Sequence, residues 1–460
     1  MFRTVCDRPT LWEALLPLEA LVMPAELVAV DELLDDPRFF EPFRPFFDPT
    51  WGRPSVPMET YLRLMFLKYR YRLGYETLCA EVGDSLTWLR FCRIPLGEAA
   101  PHPSTLAKIT TRCGTAAIEG PNRELVAVAA ETGALDLEWL RLDTTVVPAD
   151  IRYPTDSGLL TRAITKMAVL VGRLQAAGYA PRTGFDDRTA DARTADARTA
   201  AHRIGVRLRR RSDDAKAEVL VITGELADLA DTCCDQAKRV LTNARRGPDR
   251  ALKRRLAILA DLAHVIDATG EIIDQTRIRL AGGVPAGATR RVSLCDDDAR
   301  PIRKGSLANP VQFGYTGQVC DNRQGIVLDY EVEAGMPPDA GRIAPAAARI
   351  IAAVGHTPAA VTADRGYGQA SVDRDLGALG VDTVAILRKG RPGAARQAEQ
   401  NEPDFVELVK WRTGAEGRIA ALKRQHGWAR TRLRGLDRAR TWCGWGIWSH
   451  NAIKIAALTH

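Results

Sequence analysis

The sequence contains no Cys-x-x-Cys pair, no two histidines at metal-ligand spacing and no unbroken apolar run of membrane-spanning length. Nine cysteines and seven histidines are scattered over 460 residues. Neither a zinc cage nor a disulfide framework is indicated, and the cysteines read as buried, reduced thiols. The apolar stretch around Ala359 is interrupted by proline and glycine, which excludes a membrane helix. The chain opens Met-Phe-Arg and soon reaches acidic residues, without the apolar segment and cleavage site of a secretion signal. A cytoplasmic location is expected. What remains, 46% hydrophobic and 26% charged residues, is an ordinary globular mixture long enough for two or three domains.

Lys and Arg number 64 against 57 Asp and Glu, a net charge of +7, and the excess is concentrated. Residues 1–60 hold 11 acidic and 5 basic side chains. Residues 410–454 hold 11 basic side chains against only Glu416 and Asp437, which is +9. Within that stretch Arg430, Arg432, Arg434, Arg438 and Arg440 are interleaved with Trp428, Trp442, Trp445 and Trp448. Cations mixed with aromatics suit a polyanion that also offers stackable faces, which means nucleic acid. A solvated face over a Trp-rich core would give the same pattern.

Prolines break residues 1–50 into short segments. From Met58 to about Gly114 the periodicity is helical, with Tyr61, Leu62, Met65 and Phe66 on one face and Ser104 as a helix cap. Helix, glycine turn and helix near Arg90, Arg93, Lys108 and Arg112 are compatible with a helix-turn-helix. A strand runs from Leu137 through Leu142 into Asp143–Val147. Residues 159–280 then read as helical, with a coiled-coil-like hairpin about the turn Arg246–Asp249. Before it, Arg-Thr-Ala recurs at 188, 193 and 198, a repeat expected to be a disordered tip or linker. Strands return at Val311–Tyr315 and Gly325–Tyr330, then at Ala360–Ala363 and Val384–Leu387 between helices. This order predicts a mixed α/β fold, a mixed sheet flanked by helices.

Two aspartates, Asp143 and Asp364, end predicted strands, where reacting groups of α/β sheets gather. A third carboxylate, Glu416, lies on a helix expected from about Asp404 to His426. There Arg412, Glu416 and Lys423 fall on one face at 100° per residue. Three carboxylates without His or Cys make an all-oxygen set, suited to Mg²⁺ or Mn²⁺. Spacing alone does not select them from 57 acidic residues, and Asp150 and Asp156 are rivals for the first position.

Three ordered stretches resemble the DDE transposases of bacterial insertion sequences. The first is Leu142–Val147 with Ile151–Asp156 and Leu159-Leu160. The second is Ala363-Asp-Arg-Gly-Tyr367. The third is the Arg412, Glu416, Lys423 spacing, although Val409 stands where the family usually has Tyr. Asp296–Arg300 and Gly314-Tyr315 also look like family features. The resemblance implies a ribonuclease H-like catalytic domain over 131–160 and 290–455, a DNA-binding helical domain over 1–130 and a helical insert over 161–289. It implies catalytic Asp143, Asp364 and Glu416 holding two Mg²⁺ or Mn²⁺ ions, with Arg412 and Lys423 on DNA phosphates. Arg430, Arg432 and Arg434 are further expected DNA contacts. The expected partners are duplex DNA (inverted repeats and target) and further copies of the chain, a dimer or higher oligomer at the nucleoid. A host nuclease of the same fold, or an inactive element-derived repressor, are the alternatives.

Overall fold

The computed structural model describes residues 1–6, 10–185, 187–207, 212–246, 252–303 and 310–459. They form two compact units, Met1–Asp150 with Tyr315–His460, and Ile151–Gly314. Among the described residues no helix is long and apolar enough to cross a membrane.

The first unit opens with α1 (Trp12–Leu15), α2 (Ala25–Leu33), α3 (Met58–Arg70), α4 (Tyr75–Asp84), α5 (Leu86–Phe91), α6 (Pro103–Cys113) and α7 (Ala116–Glu131). Tyr61, Leu62, Met65 and Phe66 are fully buried, as is the opposite-facing Leu64, so α3 is a core helix. Its equally buried Arg63 is neutralised by Asp31 at 2.7 Å and by Asp35. Ser85 caps α5 by accepting from the Trp88 amide. In α6 the cap is His102 rather than Ser104, because Pro103 takes the first helical position, where no amide hydrogen is needed. The strand β1 (Trp139–Pro148) follows.

The second unit is a helical assembly of α8 (Asp156–Ala176), α9 (Asp187–Arg207), α10 (Asp213–Arg245) and α11 (Leu252–Leu280). Thr155 caps α8 through the Gly158 amide. Ile222, Leu226, Cys233, Ala237 and Val240 of α10 share one core with Leu262, Val265 and Ile273 of α11. This is the expected hairpin seam; most of its turn lies outside the described residues. The repeat at 188–200, expected to be disordered, instead falls within helix α9. Ala197 and Ala200 line up with Ile204 at helical spacing and are buried in the common core. Alanines give little area each, but they favour helix and let neighbouring helices approach closely. The unit ends with β2 (Arg300–Arg303) paired antiparallel to the start of β3 (Val311–Asn322).

The chain then completes the first unit with β4 (Val327–Ala334), α12 (Ile343–Val354), β5 (Ala360–Ala363), α13 (Ala370–Ala378), β6 (Thr383–Ala385), α14 (Ala394–Gln400), α15 (Pro403–Arg412), α16 (Ala415–Gln425) and α17 (Leu436–Thr459). The sheet runs β2-β3-β1-β5-β6, with β4 also on β3. It is mixed: β3–β4 is antiparallel, while β1–β5 and β5–β6 are parallel. Leu140 and Leu142 of β1 enter a core with Ile343, Ile350, Val372 and Leu376 from α12 and α13. Trp139, one step out of phase, packs with Phe405 and Leu408 of α15. The mixed α/β sheet flanked by helices is therefore as the sequence indicated.

The residues 1–130 do not stand apart from this sheet, because α17 joins them to it. Trp445 meets the Tyr61 ring edge-on at 5.7 Å, and Trp442 lies 5.0 Å from the Tyr69 ring. Trp428, Trp442, Trp445 and Trp448 are all buried. These tryptophans are core, not a stacking platform, and the aromatic half of the nucleic-acid pattern is corrected accordingly.

Candidate active site

Strand pairing brings the two aspartates together. Leu142 of β1 lies opposite Ala363, the last residue of β5, in parallel register. Asp143 and Asp364 are the next residues on each strand. Neighbouring strands run roughly 4.8 Å apart, so the backbones of Asp143, inside β1, and Asp364, just past the end of β5, are neighbours. Asp143 Oδ1 accepts from the Thr144 amide at 2.7 Å. Asp364 precedes the turn Arg365–Tyr367, but its side chain makes no capping bond, so capping does not account for it.

The turn after Asp364 is held from several sides. Arg365 donates to the carbonyls of Arg388 and Gly390. Tyr367 is 1% exposed and donates to Gln318 Oε1 at 3.5 Å. Burial pushes its hydroxyl pKa well up, and the neighbouring Asp339 and Asp143 charges add to this against Arg342. Asp339, in the loop before α12, has its carboxyl pKa raised by burial, with Arg342 and Lys389 opposing and Asp364 reinforcing. Tyr367, Gln318, Asp339 and Arg342 thus form a polar layer beside the aspartate pair.

The third carboxylate is placed differently. The single helix expected across Arg412, Glu416 and Lys423 is interrupted: α15 ends at Arg412, Thr413-Gly414 turn, and α16 starts at Ala415. The cause is Arg141 of β1, whose Nη1 donates to the Trp411 carbonyl at 2.9 Å. A β-carbon on Gly414 would stand 2.6 Å from that same nitrogen. Arg141 also makes a bidentate pair with buried Asp321 at 2.7 and 2.9 Å and lies 4.5 Å from the Trp411 ring centroid. The α15–α16 junction is therefore clamped to β1 two residues before Asp143, on the face to which alternation also directs Asp143. Glu416 and Lys423 share a face of α16, seven residues or about 20° apart; Arg412 does not belong to that helix. Glu416 is exposed. Among the described residues no three His, Cys, Asp or Glu side chains gather closely enough to hold a metal. The strand register makes Asp143 and Asp364 neighbours, and Glu416 comes from the separate helix α16. Val409 packs with Phe405, Leu408, Ala360 and Ala385.

The rivals have other employment. Asp156 is 7% exposed and bonded to Arg279 and Gln275, while Asp150 lies 3.6 Å from Arg430. Asp296 accepts from the Ala299 amide, and Asp297 pairs with Arg291. Arg430, Arg432 and Arg434 are exposed in the segment between α16 and α17. The Thr431 amide donates to the Pro148 carbonyl at 2.9 Å, so this segment is pinned to the carboxyl end of the Asp143 strand. Of the N-terminal cations, Arg93 pairs with Asp31 and Asp35, and Arg112 lies over Phe47.

Sequence reasoning missed Asp339, Gln318 and Arg141. Gln318 carried a signal, as an uncharged polar residue inside an otherwise buried strand. Asp339 carried none, since its place depends on how β4 crosses to α12.

Two family models match the chain: a transposase domain (DUF772) over residues 16–112 and a transposase DDE domain over residues 272–452. The second span contains Asp364 and Glu416, whereas Asp143 precedes it. The chain is 31% identical over 153 residues to the uncharacterized protein ORF8 in the nfe locus of Rhizobium meliloti, covering 32% of this chain and 73% of that protein. No solved structure matches.

Proposed function

Because the chain belongs to the DDE transposases of insertion sequences, we propose that it cuts DNA at transposon ends and joins the freed 3′-hydroxyl to target DNA. The observation that carries this reading is the Leu142–Ala363 register, which sets Asp143 beside Asp364. The pair fits a divalent cation: Mg²⁺ prefers oxygen donors and commonly takes one or two carboxylates, the rest coming from phosphate and water. The Asp364 side chain caps no helix, and Asp143 Oδ1 accepts from the Thr144 amide. Two Mg²⁺ or Mn²⁺ ions, when bound, would activate the attacking oxygen and stabilise the leaving one.

The chain's own residues have distinct tasks in this proposal. Asp143 and Asp364 hold the ions from the sheet edge, and Glu416 supplies a further carboxylate from α16. Lys423, on the same face as Glu416, and Arg412 at the end of α15 engage phosphates. Arg430, Arg432 and Arg434 extend that grip from the segment pinned to Pro148. In the first step water displaces the 3′-oxygen of the scissile phosphodiester. In the second the freed 3′-hydroxyl displaces a target-strand oxygen, one P–O bond forming as another breaks. The partners are duplex DNA and further copies of the chain. The alternative is an inactive element-derived repressor that binds inverted repeats.

The deciding experiment incubates the purified protein with DNA carrying the element's ends and Mg²⁺, beside Asp143→Ala, Asp364→Ala and Glu416→Ala. The proposal expects cleavage by the wild type alone and DNA binding by all four. Cleavage that persists in Asp364→Ala would remove the aspartate pair from the chemistry. Binding without cleavage by the wild type would establish the repressor.

A further inference from the structure

The unit Ile151–Gly314 carries arginines that its local acids do not balance. Tyr153, just before α8, is 75% exposed, and its ring meets the Phe313 ring edge-on at 5.4 Å. The Arg290 guanidinium lies over Phe313, 5.8 Å from the ring centroid, and its Nε is buried without a hydrogen-bond partner. Arg162 folds back over the first turn of α8, its Nη2 3.8 Å from where a Gly158 β-carbon would stand. Burial and then Arg152 lower the pKa of Arg162; burial and then Arg279 lower that of Arg290. The carboxylate packed into this group is Asp156, already bonded to Arg279 and Gln275. Arg152, Arg162, Arg279 and Arg290 against Asp156 leave +3 around an exposed aromatic ring.

A single exposed tyrosine needs no explanation. An exposed tyrosine beside Arg152 and close to Arg290 does, because Arg152 repels Arg162 and Arg290 repels Arg279, while Asp156 is bonded to Arg279 alone of the four. Their repulsion is relieved by an anion, and the ring face suits a flat partner. A DNA strand has both, but a duplex hides its base faces; an unpaired strand does not.

We propose that this surface takes an unpaired DNA strand, with Tyr153 stacking on a base and Arg152, Arg162 and Arg290 holding the flanking phosphates. The inference rests on the transposase reading, in which cut ends supply such strands.

The test uses the full chain and a duplex with a short unpaired tail that carries a fluorescent adenine analogue. Stacking quenches that emission. Wild type and Tyr153→Trp should quench it, whereas Tyr153→Ala should not. Tyr153→Ala should bind the tailed DNA about tenfold more weakly while binding blunt duplex as the wild type does. Arg152→Ala with Arg290→Ala should lower the salt slope for the tailed DNA by about two. Undiminished quenching by Tyr153→Ala, or wild-type binding that ignores the tail, overturns this inference alone. A wild type that binds neither DNA overturns it together with the transposase reading.

Discussion

A β-carbon on Gly366 would stand 2.8 Å from Oδ2 of Asp339. The loop before α12 thus presses a carboxylate against the turn that follows Asp364. Two residues on, a β-carbon on Gly368 would run into the Leu387 carbonyl oxygen, which is backbone and cannot swing aside.

The two glycines should therefore respond differently to alanine. Gly368→Ala should cost about 1–3 kcal/mol, the usual range for overpacking. Gly366→Ala needs only a side-chain rotation of Asp339 and should cost well under about 1 kcal/mol, yet it shifts a charge next to Asp364. Urea melts and strand-cleavage rates on both variants check this: Gly366→Ala should lose rate with little loss of midpoint.

Arg141 offers a stability test. Asp321 is 2% exposed and is neutralised by Arg141 and Arg418. Arg141→Ala should cost about 3–5 kcal/mol, because it strands most of a buried charge. It should also release the α15–α16 junction, so protease cutting near Thr413 should rise. Arg141→Met with Asp321→Leu, which removes both charges, should recover much of the loss. A denaturant series on the three proteins reads this directly.

Acid sensitivity should come from two histidines. The rings of His426 and His450 meet edge-on at 5.2 Å. Burial lowers both pKa values to about 3, assisted at His426 by His450 and at His450 by Arg418. An unfolded histidine titrates near 6.5, so below that pH the unfolded chain binds more protons and stability falls as pH falls. The contribution is complete above about 6.5 and disappears toward about 3, at up to about 1.4 kcal/mol per pH unit for each ring. His450→Gln should give a shallower loss of urea midpoint between those limits. An unchanged slope would place the sensitivity elsewhere.

Phosphate contact by Arg430, Arg432 and Arg434 should appear as salt dependence. Replacing all three by alanine should flatten the log–log plot of DNA affinity against salt by about two to three units. Folding should be unaffected, since these side chains are exposed. An unchanged slope would make them a solvated face.

The parts of this architecture that depend on local pattern were legible in the sequence. The strand at Ala360–Ala363 and the helical hairpin of α10 and α11 occur where periodicity and turn residues put them. Asp364 follows its strand as expected, but Asp143 lies inside β1, which runs on to Pro148, and only the register makes the two aspartates neighbours. The Glu416 helix was misread because its break is imposed by Arg141, 273 residues before Gly414. No local rule contains that contact. The tryptophans were ambiguous for a related reason: alternation with arginine is equally that of a nucleic-acid surface and of a core helix with a charged approach. The burial of Ala197 and Ala200 has no local signature in the repeat, because it comes from the close approach of neighbouring helices and not from side-chain bulk.

The position of α17 has a consequence for how the chain is made. Asn122 of α7 donates to the Gly444 carbonyl, and Thr115 to that of Asp437, each across 322 residues. α17 is synthesised long after α3 and α7, so the first helices leave the ribosome well before their core partner exists. The unit Ile151–Gly314, whose helices contact one another locally, can fold while the chain is still growing. The unit bearing the aspartates has high contact order and must wait for α17. Until then its apolar α3 lacks Trp445 to cover it, which leaves nascent chains open to aggregation. A chain truncated ahead of Leu436 should therefore keep the helical unit and lose the packing of the unit that bears the aspartates.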